Sequence, residues 1–105
     1  MRITILECAR KHGITEQEIR AVVSYPLLRV HITPRLPGAV PHLFIGNFDE
    51  DEPLLEIIAD LADSADWIVF HAMMLRPLTI SQLHLEELLG DGDLAQQRPQ
   101  RRDNP

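Results

Sequence analysis

WIVFHAM, residues 67–73, combines aromatic and β-branched side chains in one short run. These residue types are enriched in strands. The run is also too short and too apolar for a helix on the protein surface. It therefore predicts a β-strand, and the sequence DSAD at residues 63–66 before it predicts a turn.

The segment upstream of that turn, LLEIIADLA at residues 54–62, fits two patterns. Its apolar residues fall on a helical stripe, and Pro53 suits the first turn of a helix. Alternation also places Leu55, Ile57, Ala59 and Leu61 on one face of a strand. Periodicity alone favours the helix.

The N-terminal part predicts a strand at residues 2–6, then a helical turn at residues 7–12 that Gly13 ends. The sequence TEQE at residues 15–18 has the form of a capping box, in which the first and last side chains each bond a backbone amide. It predicts a helix that ends at Pro26, because proline disfavours the helical conformation of the residue before it.

Two further strands are predicted at residues 27–33 and 42–48, with a proline- and glycine-containing loop between them. Residues 79–82 again resemble a capping box. They predict a last helix that ends at Gly90.

A single α+β domain over residues 1–90 accounts for this order of elements, and the polar residues 91–105 predict a disordered tail. The chain has 105 residues and is 45% hydrophobic, which suits one core of modest size. No apolar run approaches the roughly 20 residues that span a bilayer. The N-terminus does not have the form of a signal peptide. Cys8 is the single cysteine, which leaves no intrachain disulfide. We therefore expect a soluble protein of the reducing cytoplasm.

The net charge of −6 argues against nucleic acid as a ligand, but the charge is unevenly distributed. Residues 1–42 hold six Arg or Lys and three acids, whereas residues 43–105 hold four arginines and thirteen acids. A basic surface from the first part can coexist with an acidic remainder. Alternatively, folding mixes the two parts and no basic patch forms.

Four segments in order resemble the BrnT-like toxins, small relatives in fold of the RelE/ParE superfamily. They are ARKHGI at residues 9–14, followed at once by the capped helix, LFIG at 43–46, LLEII at 54–58, and VFHAMMLR at 69–76. The resemblance implies an α+β fold in which an N-terminal strand and two short helices pack on an antiparallel β-meander, with a C-terminal helix. It also implies a strand at residues 54–62, in place of the helix that periodicity favours.

The resemblance further implies the toxin of a type II toxin–antitoxin pair, a metal-independent endoribonuclease that a cognate antitoxin protein inhibits. RNA and the antitoxin would be its partners, and homo-oligomerisation stays open. We expect an extended antitoxin segment to pair with a sheet edge or to lie across the basic surface. The alternative is a non-catalytic protein-interaction module of the same fold.

His71 and Arg76 are the predicted catalytic pair. Metal-free RNA cleavage needs proton transfer and a cation that stabilises charge on the reacting phosphate. A histidine suits proton transfer near neutral pH, and an arginine binds phosphate oxygens bidentately. The alternative is that His71 is a buried sheet residue with a backbone partner and that Arg76 caps a carboxylate.

Arg10, Lys11 and His12 form a second cationic cluster, predicted to bind RNA together with Arg29. The alternative for the three consecutive residues is a position at a helix C-terminus, where cations are favoured. The nuclease hypothesis depends on one spatial expectation. The cluster, His71 and Arg76 should face one solvent-open hollow.

His31 and His42 lie on predicted strands that can be neighbours, which raises the question of a metal site. Their spacing matches no metal signature, and no cysteine or carboxylate accompanies them. The chain also has no glycine-rich phosphate loop. We therefore expect neither a metal nor a cofactor.

Overall fold

The structure, a computed structural model, describes residues 2–84 and confirms the α+β class. Its described elements, in chain order, are β1 (Arg2–Ile5), a 3-10 helix (Glu7–Arg10), α1 (Glu16–Ser24), β2 (Leu28–His31), β3 (Pro41–Gly46), β4 (Leu55–Asp60), β5 (Asp66–Met74) and α2 (Pro77–Leu83). The predicted continuation of the last helix to Gly90 and the predicted tail at residues 91–105 lie outside the described residues. Neither α-helix within residues 2–84 has the length and apolar character needed to cross a bilayer.

All five strands belong to one sheet, in the order β1-β5-β4-β3-β2. Strands β2 to β5 pair antiparallel with their neighbours in the chain. Strand β1 pairs parallel with β5, so that Ile3 lies beside Trp67. The sequence predicts β1 as a strand but not this partner, because the pairing joins segments more than 60 residues apart.

Strand β4 occupies the segment for which two patterns competed, so the strand that the resemblance implied is correct and the helix is wrong. β4 is the central strand of the sheet, and both of its faces are covered. Ile57 and Ala59 belong to the core beneath α1, whereas Ile58 packs with the core on the other face. A strand covered on both faces is apolar throughout, and such a run also satisfies a helical stripe.

The capping box predicted at the start of α1 is confirmed. The Glu18 amide donates to the Thr15 hydroxyl oxygen at 3.1 Å, and the Thr15 amide donates to the Glu18 carboxylate at 3.0 Å. The helix packs its apolar stripe on the sheet, with Ile19 and Val22 fully buried in the same core as Phe44. We call this side of the sheet the α1 face.

Helix α2 corrects the second capping-box prediction. It begins at Pro77, and its N-cap is Arg76, three residues before the expected Thr79 and without a side-chain cap bond. The fixed φ of proline suits the first helical position. Ile80 and Leu83 pack on the side of the sheet opposite to α1, which we call the α2 face. The early start leaves the Thr79 hydroxyl available for a different partner.

Candidate functional site

The carboxylate of Glu56 lies at the centre of the candidate site, on the α2 face of β4, and its side chain is 1% exposed. Oε1 accepts from the Arg76 amide at 2.9 Å and from the Thr79 hydroxyl at 2.6 Å. Oε2 accepts from Arg76 Nη2 at 2.8 Å, and His71 Nε2 lies 2.8 Å from the same oxygen. One buried carboxylate therefore orients an imidazole, a guanidinium and a hydroxyl.

The chain brings these groups together through the pairing of β4 with β5. Glu56 pairs with Met73, and Arg76 follows the end of β5 by two residues. The polypeptide then turns into α2, whose first turn places Thr79 over the same carboxylate. The backbone amide of Leu75 donates to the Leu54 carbonyl at 3.0 Å, which fixes the turn against the start of β4.

A β-bulge in β5 decides which face His71 occupies. Ile58 pairs with His71 and the next residue, Ala59, pairs with Val69, so Phe70 is the extra residue of β5. Strict alternation from Val69, which is buried in the core on the α1 face, would place His71 in that same core. Because a bulge shifts the alternation by one residue, His71 instead points to the α2 face beside Glu56.

The electrostatics of the cluster favour an ionised Glu56. Burial by itself raises the pKa of this carboxyl, but hydrogen bonds from His71, Arg76 and Thr79 outweigh it and lower the pKa to about 2. A carboxylate that is ionised at neutral pH accepts hydrogen bonds only. The His71 nitrogen facing it, Nε2, therefore carries a proton.

This arrangement assigns the two nitrogens of His71 different tasks. With Nε2–H donating to Glu56, the lone pair of the ring in its neutral form lies on Nδ1. No residue among positions 2–84 is hydrogen-bonded to Nδ1. The side chain is 22% exposed, so a ligand can reach the ring. The same logic operates in hydrolases, where a carboxylate fixes the tautomer of a catalytic histidine.

His71 and Arg76 both line an open groove of about 740 Å³ on the α2 face, which we call the His71 groove. The Arg76 side chain is 41% exposed there. The other polar and charged lining residues are Thr33, Arg35 and Asp60, and the apolar ones are Leu6, Ile32, Leu36, Ala39, Pro41, Ile58, Ile68 and Phe70. Among the described lining residues, His71 is the sole imidazole.

The second predicted cluster does not reach this groove. Arg10 lies in the last turn of the 3-10 helix and pairs with Glu16 at 3.3 Å. Lys11 is the residue that caps that helix, so it and Arg10 occupy the helix-end position considered as their alternative. Neither they nor His12 belong to the described lining of the groove. The expected convergence therefore holds for His71 and Arg76 and not for residues 10–12.

Arg29, the fourth predicted RNA-binding residue, lies on the other side of the sheet. Its guanidinium rests over the rings of Phe44 and Trp67, which pack in the core on the α1 face. The structure thus separates Arg29 from His71 by the thickness of the sheet.

Glu56 and Thr79 are the two site residues that the sequence did not single out. Glu56 carried one signal, a lone carboxylate inside an otherwise apolar run at residues 54–58. Charged side chains are almost never fully buried unless they are paired, so this position demanded cationic partners. The partners lie 15 to 23 residues away and are brought together only by the strand pairing.

A metal site is not formed by the described part of the chain. Within residues 2–84, no three His, Cys, Asp or Glu side chains come close enough together to share a metal ion. His31 and His42 are neighbours across β2 and β3, with ring centroids 4.9 Å apart. Among the described residues, no third ligand of these types accompanies them.

No protein-family model, curated protein or solved structure matches this chain.

Acid is expected to weaken the fold through Glu56. Its folded pKa of about 2 lies below its usual value of 4.5, so its contribution is complete above pH 4.5 and is lost as the pH falls towards 2. This difference between the two pKa values corresponds to about 3 kcal/mol of folding stability. Urea unfolding of the wild type and of Glu56→Gln between pH 6 and pH 2.5 measures it. The stability gap between them should shrink with acid, and a gap that is independent of pH would contradict this assignment.

Proposed function

We propose that this protein is the toxin of a toxin–antitoxin pair and cleaves RNA without a metal, with His71 and Arg76 as its catalytic residues. One observation supports the proposal above the others. A buried, ionised carboxylate holds an imidazole and a guanidinium that line the same open groove. Proton transfer and phosphate binding are the two tasks that such a reaction requires of side chains.

In the proposed reaction the ribose 2′-oxygen attacks the adjacent phosphorus, and the bond from phosphorus to the 5′-oxygen breaks. Nδ1 of His71 takes the proton of the 2′-hydroxyl, and the departing 5′-oxygen takes a proton from water. The products are a 2′,3′-cyclic phosphate and a 5′-hydroxyl. The hydroxide left from that water then takes the proton from the His71 imidazolium, so atoms and charge balance without an oxidant, a reductant or a metal.

Glu56 acts in this scheme as a positioning residue and does not touch the RNA. Its carboxylate fixes the tautomer of His71 and stabilises the imidazolium that forms when Nδ1 takes the proton. Arg76 gives its Nε and Nη2 groups to Glu56, which leaves Nη1 for a phosphate oxygen. Arg35, on the same groove, supplies a second cation.

The same groove is suited to an antitoxin segment. Leu6, Leu36 and Phe70 line it and are exposed, although apolar side chains of this size are usually buried. We propose that the antitoxin covers them with its own apolar side chains and directs an acidic side chain towards Arg35. Such binding blocks access to His71. The cytoplasm, where RNA is abundant, is the proposed location of both partners.

A non-catalytic interaction module is the second candidate, and one observation favours it. Glu56 compensates the charge of Arg76 through three side-chain hydrogen bonds. The pair presents little net charge to a phosphate when His71 is neutral. In this alternative the cluster only stabilises the fold, and the groove binds a partner protein.

Induced expression in a bacterial host tests the proposal. We expect the wild type to arrest growth and degrade cellular RNA, and His71→Ala to do neither at the same soluble level. His84→Asn is the matched control, because His84 is an exposed imidazole in a left-handed conformation that asparagine tolerates, with φ of 56°. The control should arrest growth like the wild type. If the wild type is soluble and folded but leaves growth and RNA unchanged, the toxin hypothesis is contradicted and the interaction module remains.

A further inference from the structure

Arg29 sits in a second cluster of aromatic and basic side chains, on the face of the sheet opposite to the His71 groove. Its Cζ atom lies 5.4 Å from the ring centroid of Phe44 and 5.0 Å from that of Trp67. The two rings are 5.7 Å apart and form one aromatic surface. Although Arg29 is exposed and lies on the edge strand β2, it therefore rests against rings from β3 and β5.

A hydrogen bond to His42 fixes the orientation of the Arg29 guanidinium. Arg29 Nε donates to His42 Nδ1 at 3.0 Å. Burial, Arg29 and His31 lower the pKa of His42, so its ring is neutral at neutral pH and Nδ1 can accept this bond. His31, which is exposed, meets His42 edge-on with ring centroids 4.9 Å apart. We call these five residues, Arg29, His31, His42, Phe44 and Trp67, the Arg29 cluster.

No carboxylate compensates this guanidinium within residues 2–84. Four other arginines in the described part of the chain have acidic partners: Arg2 pairs with Asp66, Arg10 and Arg20 with Glu16, and Arg76 with Glu56. Arg29 instead has two rings and a neutral imidazole. Its Nη groups, which make no hydrogen bond to a described residue, form a rigid pair of donors. A planar pair of this kind matches two oxygens of a phosphate group.

We propose that the Arg29 cluster is a second RNA-binding site, in which Arg29 takes a backbone phosphodiester of single-stranded RNA and the exposed ring of His31 stacks on a base. The choice of RNA as the ligand rests on the proposed function. Bases stack on aromatic and imidazole rings with little regard to sequence. The cluster therefore holds the strand, while cleavage takes place in the groove on the other face.

The position of β2 connects the two sites. Arg29 lies on this edge strand, and Thr33 and Arg35, just after the strand, line the His71 groove. Thr33 follows Arg29 by four residues, which cover roughly 13 Å when extended. A few nucleotides are enough to span that distance. A single RNA strand that crosses the β2 edge can therefore contact both sites.

Trp67 offers a direct readout, because it is the single tryptophan of the chain and touches Arg29. We would titrate the protein with a single-stranded 2′-O-methyl RNA decamer, which cannot be cleaved by the proposed reaction, and follow Trp67 emission at fixed ionic strength. A second titration uses inorganic phosphate alone. We expect the decamer to change the emission in a saturable way and to bind more tightly than phosphate.

Arg29→Gln should weaken decamer binding by about tenfold or more, and Arg29→Lys should give an intermediate loss, because lysine keeps the charge but not the planar pair of donors. Arg2→Gln is the matched control. It removes the same charge from an exposed arginine on the other edge strand, and we expect less than a twofold change. Urea unfolding of each variant shows whether it is folded.

Equal losses in Arg29→Gln and Arg2→Gln would overturn the inference, since they would indicate general charge attraction. Binding of phosphate with no gain for the decamer would overturn the assignment of RNA. The two proposals fail separately. Wild type that cleaves RNA while Arg29→Gln binds the decamer unchanged overturns this inference alone. Wild type that binds through Arg29 and cleaves nothing overturns the proposed function alone.

Discussion

Replacing Glu56 with alanine is expected to lower the free energy of unfolding by about 3–5 kcal/mol. The Thr79 hydroxyl and the Arg76 guanidinium both donate to this buried carboxylate. The substitution would leave both donors without their acceptor and open a cavity between β4 and α2. A small domain has about 5–15 kcal/mol of stability in total, so the loss is a large share. Urea unfolding followed by Trp67 emission measures it.

Two further variants allow this prediction to be tested even if Glu56→Ala does not fold. Glu56→Gln preserves the shape and one acceptor oxygen, so we expect a smaller loss and a folded protein if the alanine variant does not fold. Glu16→Ala is the matched control, because Glu16 also binds two side chains, Arg10 and Arg20, but on the surface. It should leave the unfolding midpoint nearly unchanged. A Glu56→Ala midpoint equal to that of the wild type would show that the carboxylate does not organise the site.

Removal of the imidazole at His71 is expected to reduce the rate of RNA cleavage by about 10²–10⁴-fold, the usual range for a lost general base. The fold should change far less than in the Glu56 variants, because Glu56 keeps Arg76 and Thr79 as partners. Single-turnover cleavage of an RNA oligonucleotide by purified His71→Ala and wild type measures the effect.

His71→Gln separates catalysis from a structural role. Glutamine can still donate an amide N–H towards Glu56, but it cannot take a proton from the 2′-hydroxyl. It should therefore be as inactive as His71→Ala while unfolding near the wild-type midpoint. A glutamine variant that retains the wild-type rate would show that His71 only positions its neighbours.

The local elements were predictable because a few adjacent residues determine them. The Thr15 capping box fixes the start of α1, and the aromatic and β-branched run at residues 67–73 forms β5. Prediction failed where local signals were ambiguous. Residues 79–82 have the form of a capping box, yet Pro77 begins the helix earlier, and Thr79 bonds Glu56.

The site was predictable in part. His71 and Arg76 are close in sequence and flank the end of one strand, so their proximity follows from the sequence alone. Their common partner, Glu56, comes from β4 and depends on the register of two strands. A shift of one residue moves a side chain to the other face of a sheet, and here the bulge at Phe70 supplies that shift. No local pattern in WIVFHAM indicates the bulge.

The most direct test of RNA cleavage at His71 is the chemistry of the RNA ends that the purified protein produces. We predict that the wild type cleaves a single-stranded RNA equally well with and without EDTA and leaves 2′,3′-cyclic phosphate and 5′-hydroxyl ends. The same RNA with a 2′-deoxy sugar at the cleaved position should stay intact. Cleavage of the 2′-deoxy substrate, or no cleavage of RNA by the folded protein, would contradict the proposed cleavage of RNA at His71.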